Sequence, residues 1–238
     1  MQRIARPKAT PKDIKQNVDF DMTLSEENYL KTIYHLQAQS DTGVTTNAIA
    51  DRIETKASSV TDMLKKLAEK DLITYKKYQG VSLTPGGLLS AKMIVRKHRL
   101  WEVFLVDKLA FSWDEVHDIA EQLEHIKSEQ LINKLDAFLG FPTEDPHGDP
   151  IPDALGRINT IEKQLLSELP EGQRGICVGV KDSSSEFLKY LDKHGIALGS
   201  TIEVVARESF DLSLVIKVDG KQLPVSHKIA GNLFVRLV

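Results

Sequence analysis

The chain has one cysteine in 238 residues, Cys177, and so can form no internal disulfide. A lone thiol fits a reducing cytosol, and a cytoplasmic location is expected. No run approaches the ~18 apolar residues of a membrane span, so no membrane partner is expected. The opening MQRIARPKATPKDIKQNVDFD is polar and mildly basic without an apolar centre, so no signal peptide is expected there. Positive charge is not in excess either, since 31 Lys and Arg against 34 Asp and Glu leave a formal net charge of −3. A nucleic-acid binder of this composition must draw on local charge or bound cations. Internal repeats and low-complexity tracts are also lacking. What remains is a chain with 41% apolar residues, enough for packed cores in one to three domains.

Against that background the stretch from His98 to His125 stands out. It reads RKHRLWEV and then, after a break, WDEVHDIAEQLEHI. Residues three or four apart share a helix face. His98 and Glu102 thus form one pair, and His117, Glu121, Glu124 and His125 form a stripe two turns long. An isolated histidine on a helix is usually capped or solvated, but here each has a carboxylate at helical spacing. Imidazoles and carboxylates without thiolate suit a divalent transition metal. His35, His147, His194 and His227 lack such neighbours and are expected to be structural or solvated. Cys177 lies in an apolar strand and is expected in a core.

Residues 1–21 read as a flexible arm, followed by a winged helix-turn-helix at 22–85. Thr23 and Glu26 are spaced as a capping box, and Leu30, Ile33 and Tyr34 give the first helix its apolar face. A short helix capped by Thr45 or Thr46 carries Ile49, Ala50 and Ile53. A tight turn leads to SSVTDMLKKLAEKD, with Val60, Leu64 and Leu67 inward. ITYKKYQGVSLT alternates around Gln79-Gly80 as a hairpin. In such a unit the second helix of the motif enters the major groove. Lys56, Ser58, Ser59, Thr61, Asp62, Lys65 and Lys66 would face bases or phosphates, with Lys76, Lys77 and Tyr78 on the wing. A small helical subdomain with a solvated charged face fits the same pattern.

Residues 86–153 read as a helical segment. A long helix opens at Thr84-Pro85 and is apolar on several sides, which implies a buried helix or a dimer interface. Trp101 and Trp113 are expected at dimer or interdomain contacts. Ser112 and Glu115 are spaced as a second capping box, and EQLINKLDAFL forms a further helix up to Gly140. The proline-rich FPTEDPHGDPIPD marks a boundary. A linker with a short helix near Arg157–Leu169 spans 154–172. From 173 to 238 the strand-like runs ICVGV, IEVVA, LSLVIKV and LFVRLV surround the helix SSEFLKYLDKHG, with a hairpin signal at Asp219-Gly220. This reads as a small SH3-like barrel, giving a mainly α chain with a β domain at its end.

Four segments carry a family resemblance: ENYLKTIYHL, SSVTDMLKKL, RKHRLWEVFL and EVHDIAEQLEH, with PHGDPIP as a further mark. Through them the chain resembles the diphtheria-toxin-repressor family of metal-dependent transcriptional regulators, its manganese branch most closely. The resemblance runs from Thr23 to the C-terminus. It implies a homodimer with a winged helix-turn-helix, a metal-binding and dimerisation domain and a FeoA-type SH3-like domain. It also implies two metal sites per subunit. The primary site would use Asn28, Glu121, Glu124 and His125. The second would use His98, Glu102 and His117, completed by Asp182 or Glu186. Where iron-responsive relatives carry cysteine this chain has Glu121, whose carboxylate is a harder ligand than a thiolate and shifts preference toward Mn²⁺ or Fe²⁺. Asn28 replaces the more usual Asp or Met.

The expected function is metal-dependent repression of metal-uptake genes through a palindromic double-stranded DNA operator. Without metal, Glu121 and Glu124 would repel each other and leave the winged domain free to move. An iron-dependent regulator is the near alternative. A metallohydrolase could use the same residues around an open coordination position, but no nucleophile motif accompanies them. A metal-independent adaptor would need an aromatic groove on the barrel, and Phe187, Tyr190, Phe210 and Phe234 are scattered.

Overall fold

The computed structural model describes residues 22–39, 43–76 and 80–238, which form two compact units. One takes the chain up to His98 together with Glu121–Phe141 and Pro152–Ile158. The other takes Arg99–Ala120, Pro142–Ile151 and Asn159–Val238. The expected arm at 1–21 lies outside the described residues, and residues 86–153 contribute to both units.

In the first unit, α1 (Leu24–Gln37) opens on a reciprocal cap. The Glu26 carboxylate accepts the Thr23 N–H at 2.7 Å, and Thr23 Oγ1 accepts the Glu26 N–H at 3.3 Å. Thr45 caps α2 (Thr46–Ile53), and α3 spans Ala57–Glu69. Between them Glu54 adopts φ 57°, a left-handed conformation that costs roughly 1–2 kcal/mol for a residue with a Cβ. Packing offsets it. Ile49, Val60, Leu64 and Leu67 are fully buried with Leu30 and Ile33, each worth roughly 1.5–3 kcal/mol. β1 (Ile73–Lys76) pairs antiparallel with β2 (Gly80–Leu83), from Ile73 opposite Leu83 to Lys76 opposite Gly80. Two helices joined by a tight turn and followed by this hairpin make a winged helix-turn-helix.

Helix α4 (Pro85–Leu109) starts with Pro85 in its first position, and Thr84 Oγ1 accepts the Gly87 N–H at 3.0 Å. Gly87 permits a backbone contact, because a Cβ there would lie 1.8 Å from the Leu72 carbonyl oxygen. Ala91, Ile94, Val95, Leu100, Val103 and Leu105 are buried within one chain, which accounts for the helix's apolar faces. α5 (Val116–Leu123) is shorter than its sequence pattern suggests. The Glu115 carboxylate does accept Ser112 Oγ–H at 2.7 Å, but residues 113–115 form a turn. The helix also ends at Leu123, so Glu124 and His125 sit in the turn beyond it, not on a helical stripe. Ser128 caps α6 (Glu129–Phe138).

The second unit holds a six-stranded antiparallel sheet in the order β3-β8-β4-β5-β6-β7. Its strands are β3 (Gln164–Leu165), β4 (Arg174–Val180), β5 (Thr201–Arg207), β6 (Leu214–Val218), β7 (Lys221–Val225) and β8 (Leu233–Leu237). Alternation places Ile202 and Val204, Leu214 and Ile216, and Leu233 and Val235 in one core. Against it pack Leu188 and Leu191 of α7 (Ser185–Lys193) and Ala230 of α8 (His227–Ala230). Bulges at Cys177/Gly179 and Val204/Ala206 bend the sheet. Asp219 and Gly220, at φ 45° and 95°, turn β6 into β7. The expected helix at 157–169 is absent. Residues 157–163 have no regular structure, β3 follows, and Leu166–Glu168 form a 3₁₀ turn. Leu166 and Leu169 are buried in the sheet's core, and Leu165 pairs with Phe234. That docking overrides local helix propensity.

Candidate metal centre

Three segments of the first unit converge on a group of charged side chains. α1 supplies Glu27 and Lys31, one turn apart. α4 supplies Lys97 and His98, and the end of α5 with its following turn supplies Glu121, Glu124 and His125. Glu124 has no exposed side-chain surface, so its charge must be met inside the protein. His98 Nδ1 donates to its Oε2 at 2.6 Å, and the Lys31 ammonium lies 2.7 Å from its Oε1. Lys31 also binds Glu121 Oε1, which stands 3.9 Å from His98 Nδ1. Burial would raise the Glu124 pKa, but the His98 hydrogen bond and the Lys31 charge outweigh it and hold the carboxyl below its usual range. The expected repulsion between Glu121 and Glu124 is therefore already compensated: Lys31 bridges them.

His125 Nδ1 donates to Glu27 Oε2 at 2.5 Å. That leaves Nε2 as the ring's ligand atom, 4.0 Å from Glu124 Oε1. The residue of α1 that meets the cluster is thus Glu27, beside the expected Asn28. Asn28 Oδ1 is nonetheless buried with no hydrogen-bond partner among the described residues. Burial lowers the Lys97 pKa against the opposing pull of Glu27 and Glu124, and its ammonium lies 3.8 Å from Glu27. The sequence alone does not point to Glu27 or Lys31, since charged residues four apart on a helix usually face water.

The second unit gathers a different set. Glu102 of α4 and Asp145 and His147 of the proline-rich turn are all buried, with ligand-type atoms within 4.8 Å of one another. His147 Nδ1 lies 3.7 Å from Glu102 Oε2 and 4.0 Å from Asp145 Oδ1. His117 Nδ1 lies 3.6 Å from Glu102 Oε1, on a largely exposed side chain. His147 Nε2–H donates to the Trp113 carbonyl at 2.8 Å, which turns Nδ1 toward the carboxylates. Burial works against a charged His147, yet hydrogen bonding to Glu102 and the charges of Glu102 and Asp145 push it up to about 9. Burial and then the Glu102 charge push Asp145 up to about 7, against Arg99.

The remaining candidate residues take the following places. His147, expected to be structural or solvated, is buried in a charged cluster and so is not solvated. His98 engages Glu121 and Glu124, while Glu102, one turn along α4, engages His147 and His117. Asp182 Oδ1 accepts the Ser184 N–H at 2.9 Å and Glu186 lies in the exposed first turn of α7. Neither belongs to a cluster of ligand-type groups among the described residues. The turn itself is rigidly placed. Asp145 Oδ1 accepts the N–H groups of His147 and Asp149, and the His147 carbonyl accepts the Val180 N–H at 2.9 Å.

On α3, Ser58, Ser59, Asp62, Lys65 and Lys66 are exposed, as is Lys56 before it. Thr61 Oγ1 donates to the Ala57 carbonyl, and Lys65 pairs with Asp62 at 3.1 Å. Lys76 ends β1, while Lys77 and Tyr78 lie outside the described residues. No helix among the described residues is long and apolar enough to cross a membrane.

Comparison with known proteins gives three successive family matches along the chain. "Iron dependent repressor, N-terminal DNA binding domain" matches residues 21–81. "Iron dependent repressor, metal binding and dimerisation domain" matches 84–153, and "FeoA domain" matches 164–237. The chain is 35% identical over 159 residues to the iron-dependent repressor IdeR of Mycobacterium leprae (strain TN), covering 64% of this chain and 69% of IdeR. It is 27% identical over 224 residues to the diphtheria toxin repressor of Corynebacterium diphtheriae, covering 90% and 97%. A solved manganese-dependent transcriptional repressor in complex with manganese has TM-score 0.80 and 38% identity, covering 90% of this chain and 100% of that one.

Proposed function

Because the chain belongs to the family of iron-dependent repressors, we propose that it represses transcription by binding double-stranded operator DNA as a homodimer, under control of Mn²⁺ or Fe²⁺. The observation that carries this reading is the fully buried Glu124, on which Glu121, His98 and His125 converge beside α1 of the winged domain.

The donor set fits a divalent metal. Two carboxylates and two imidazoles without a thiolate suit Mn²⁺ or Fe²⁺, and the orphaned Asn28 Oδ1 offers a further oxygen. Glu121, Glu124, His98 and His125 would hold the ion, with Glu27 orienting His125 from α1. Glu102, Asp145 and His147 form a candidate second site in which two buried carboxylates call for a cation. A bound ion would supply two positive charges at a fixed coordination geometry. α1 belongs to the winged domain, so ligands on α1 and at residues 121–125 tie that domain's position to the centre's occupancy. Such coupling needs the ion to bind one arrangement more tightly than another. In the favoured arrangement the two α3 helices of a dimer lie about 34 Å apart, one turn of DNA. Ser58, Ser59, Lys65 and Lys66 then face the major groove.

Fluorescence anisotropy with a labelled fragment of the gene's own upstream region tests this. Binding should appear with Mn²⁺ or anaerobic Fe²⁺ and vanish with chelator. Equal binding with and without metal would overturn it.

A further inference from the structure

We propose that Lys31 is a tethered cation occupying the Glu121–Glu124 centre, which a divalent metal must expel, and that it thereby sets the threshold of metal response. The inference deepens the proposed function and rests on Glu121 and Glu124 being metal ligands. Its basis is placement. Lys31 reaches from α1 to bind both carboxylates at once, and its side chain is only 12% exposed. Two other cations of this unit are comparably buried: Arg96 binds Asp136 and Asn133, which belong to no ligand set, and Lys97 lies 3.8 Å from Glu27 without bridging the two carboxylates. Lysine is suited to yielding. It offers a compact ammonium on a flexible four-carbon stem, where arginine would grip both carboxylates through a rigid fork.

Electrostatics give the consequence. With Lys31 in place, the two carboxylates and one ammonium sum to one negative charge. With the ammonium withdrawn and a divalent ion bound, they sum to zero. The lysine-bound state competes with metal inside the same molecule. The apparent dissociation constant therefore rises by the reciprocal of the fraction of molecules whose centre is open. A reluctantly dehydrating ion such as Mg²⁺ gains too little to displace the ammonium, whereas an ion bound strongly by imidazole and carboxylate succeeds. Lys31 would thus act as a positioning residue for selectivity.

The test is Mn²⁺ binding to the full-length protein, read as the loss of the free-ion electron paramagnetic resonance signal, with circular dichroism melts to establish folding. Lys31→Met should tighten Mn²⁺ binding by about tenfold or more. Lys31→Gln should act in the same direction and serves if the methionine variant does not fold. Lys97→Met removes a charge of the same sign nearby without opening the bridge, and should tighten binding much less. Unchanged or weaker binding in a folded Lys31 variant overturns the inference, as does equal tightening by Lys97→Met. Mn²⁺ uptake with equal affinity by wild type and Lys31 variants overturns this inference alone. Failure of every form to take up Mn²⁺ overturns the metal reading beneath it as well.

Discussion

Glu27 holds His125 by a 2.5 Å hydrogen bond from the ring's Nδ1, so a residue of the DNA-reading domain fixes which nitrogen the centre can use. Orienting a ligand imidazole through a carboxylate is typically worth 10–100-fold in metal affinity. Glu27→Gln should therefore weaken Mn²⁺ binding by roughly that factor while the fold survives. Isothermal titration calorimetry on the folded variant gives the answer. An unchanged affinity would leave Glu27 a purely structural partner.

Glu124 carries the greater consequence. Its carboxylate meets Lys31 and His98 in a fully buried position, so Glu124→Ala removes a proposed ligand and takes an acceptor from both His98 Nδ1 and the Lys31 ammonium. Metal-dependent operator binding should disappear. Breaking a buried pair typically costs about 3–5 kcal/mol, so the melting temperature should fall as well. Anisotropy at a fixed Mn²⁺ concentration, on protein shown to be folded, checks the first outcome. Retained metal-gated binding would remove Glu124 from the centre.

Much of this architecture was legible in the sequence, for reasons specific residues show. Val60, Leu64 and Leu67 repeat at the helical period and are buried, and Thr23 and Thr45 cap helices as their positions imply. The barrel strands alternate, and Asp219-Gly220 turns where its chemistry demands. What escaped involves contacts remote in sequence or rules overridden by packing. His147 lies in an aperiodic turn, where no spacing reveals that Glu102 is its neighbour. Lys31 looks like a solvated helix residue until Glu121 at the end of α5 and Glu124 in the following turn meet it. β7 contains Pro224, which is tolerated because the strand lies at the sheet's edge. The segment before β3 has helical composition, but Leu166 and Leu169 are captured by the barrel.

The second cluster predicts a pH dependence of stability in metal-free protein. His147 is raised to about 9 in the folded state, mainly by Glu102 and Asp145 against burial. Its contribution is therefore fully present below the unfolded value of about 6.5 and is lost as pH rises through about 9. Asp145, raised to about 7 by burial and Glu102, acts in the same sense: stability falls as its buried carboxyl ionises. Chelated protein should melt at a lower temperature at pH 9 than at pH 6. A flat profile between those limits would contradict the assigned couplings.

Gly148 is where the cluster's geometry is most sensitive to a small change. It adopts φ 81°, and a Cβ there would lie 2.0 Å from the Val178 carbonyl oxygen. Gly148→Ala must therefore lift the turn off β4, at a cost of about 1–3 kcal/mol for the backbone strain alone. The His147 carbonyl accepts its hydrogen bond from Val180 in the same place, so His147 should move with the turn. Metal stoichiometry by equilibrium dialysis should drop by one ion per subunit, while the Glu121–Glu124 centre keeps its affinity. Full stoichiometry in the folded variant would show that Gly148 does not position this site.

DNA contacts separate by their salt dependence. Lys66 is exposed on α3 and suited to a phosphate. Lys66→Ala should weaken binding to operator and unrelated DNA alike and reduce the slope of log affinity against log salt by about 1 per subunit. Asp62 behaves oppositely. It holds Lys65 at 3.1 Å, both side chains being largely exposed, in a pair worth less than about 1 kcal/mol. It also brings a negative charge to a surface meant for phosphates. Asp62→Asn frees Lys65 and removes that repulsion, so it should tighten binding to unrelated DNA and steepen the salt slope. If Asp62 also accepts a hydrogen bond from a cytosine amino group, the same variant narrows the gap between operator and unrelated DNA. Anisotropy titrations at several salt concentrations, on both DNAs, read each effect. A Lys66→Ala slope equal to wild type would move the phosphate contact off α3.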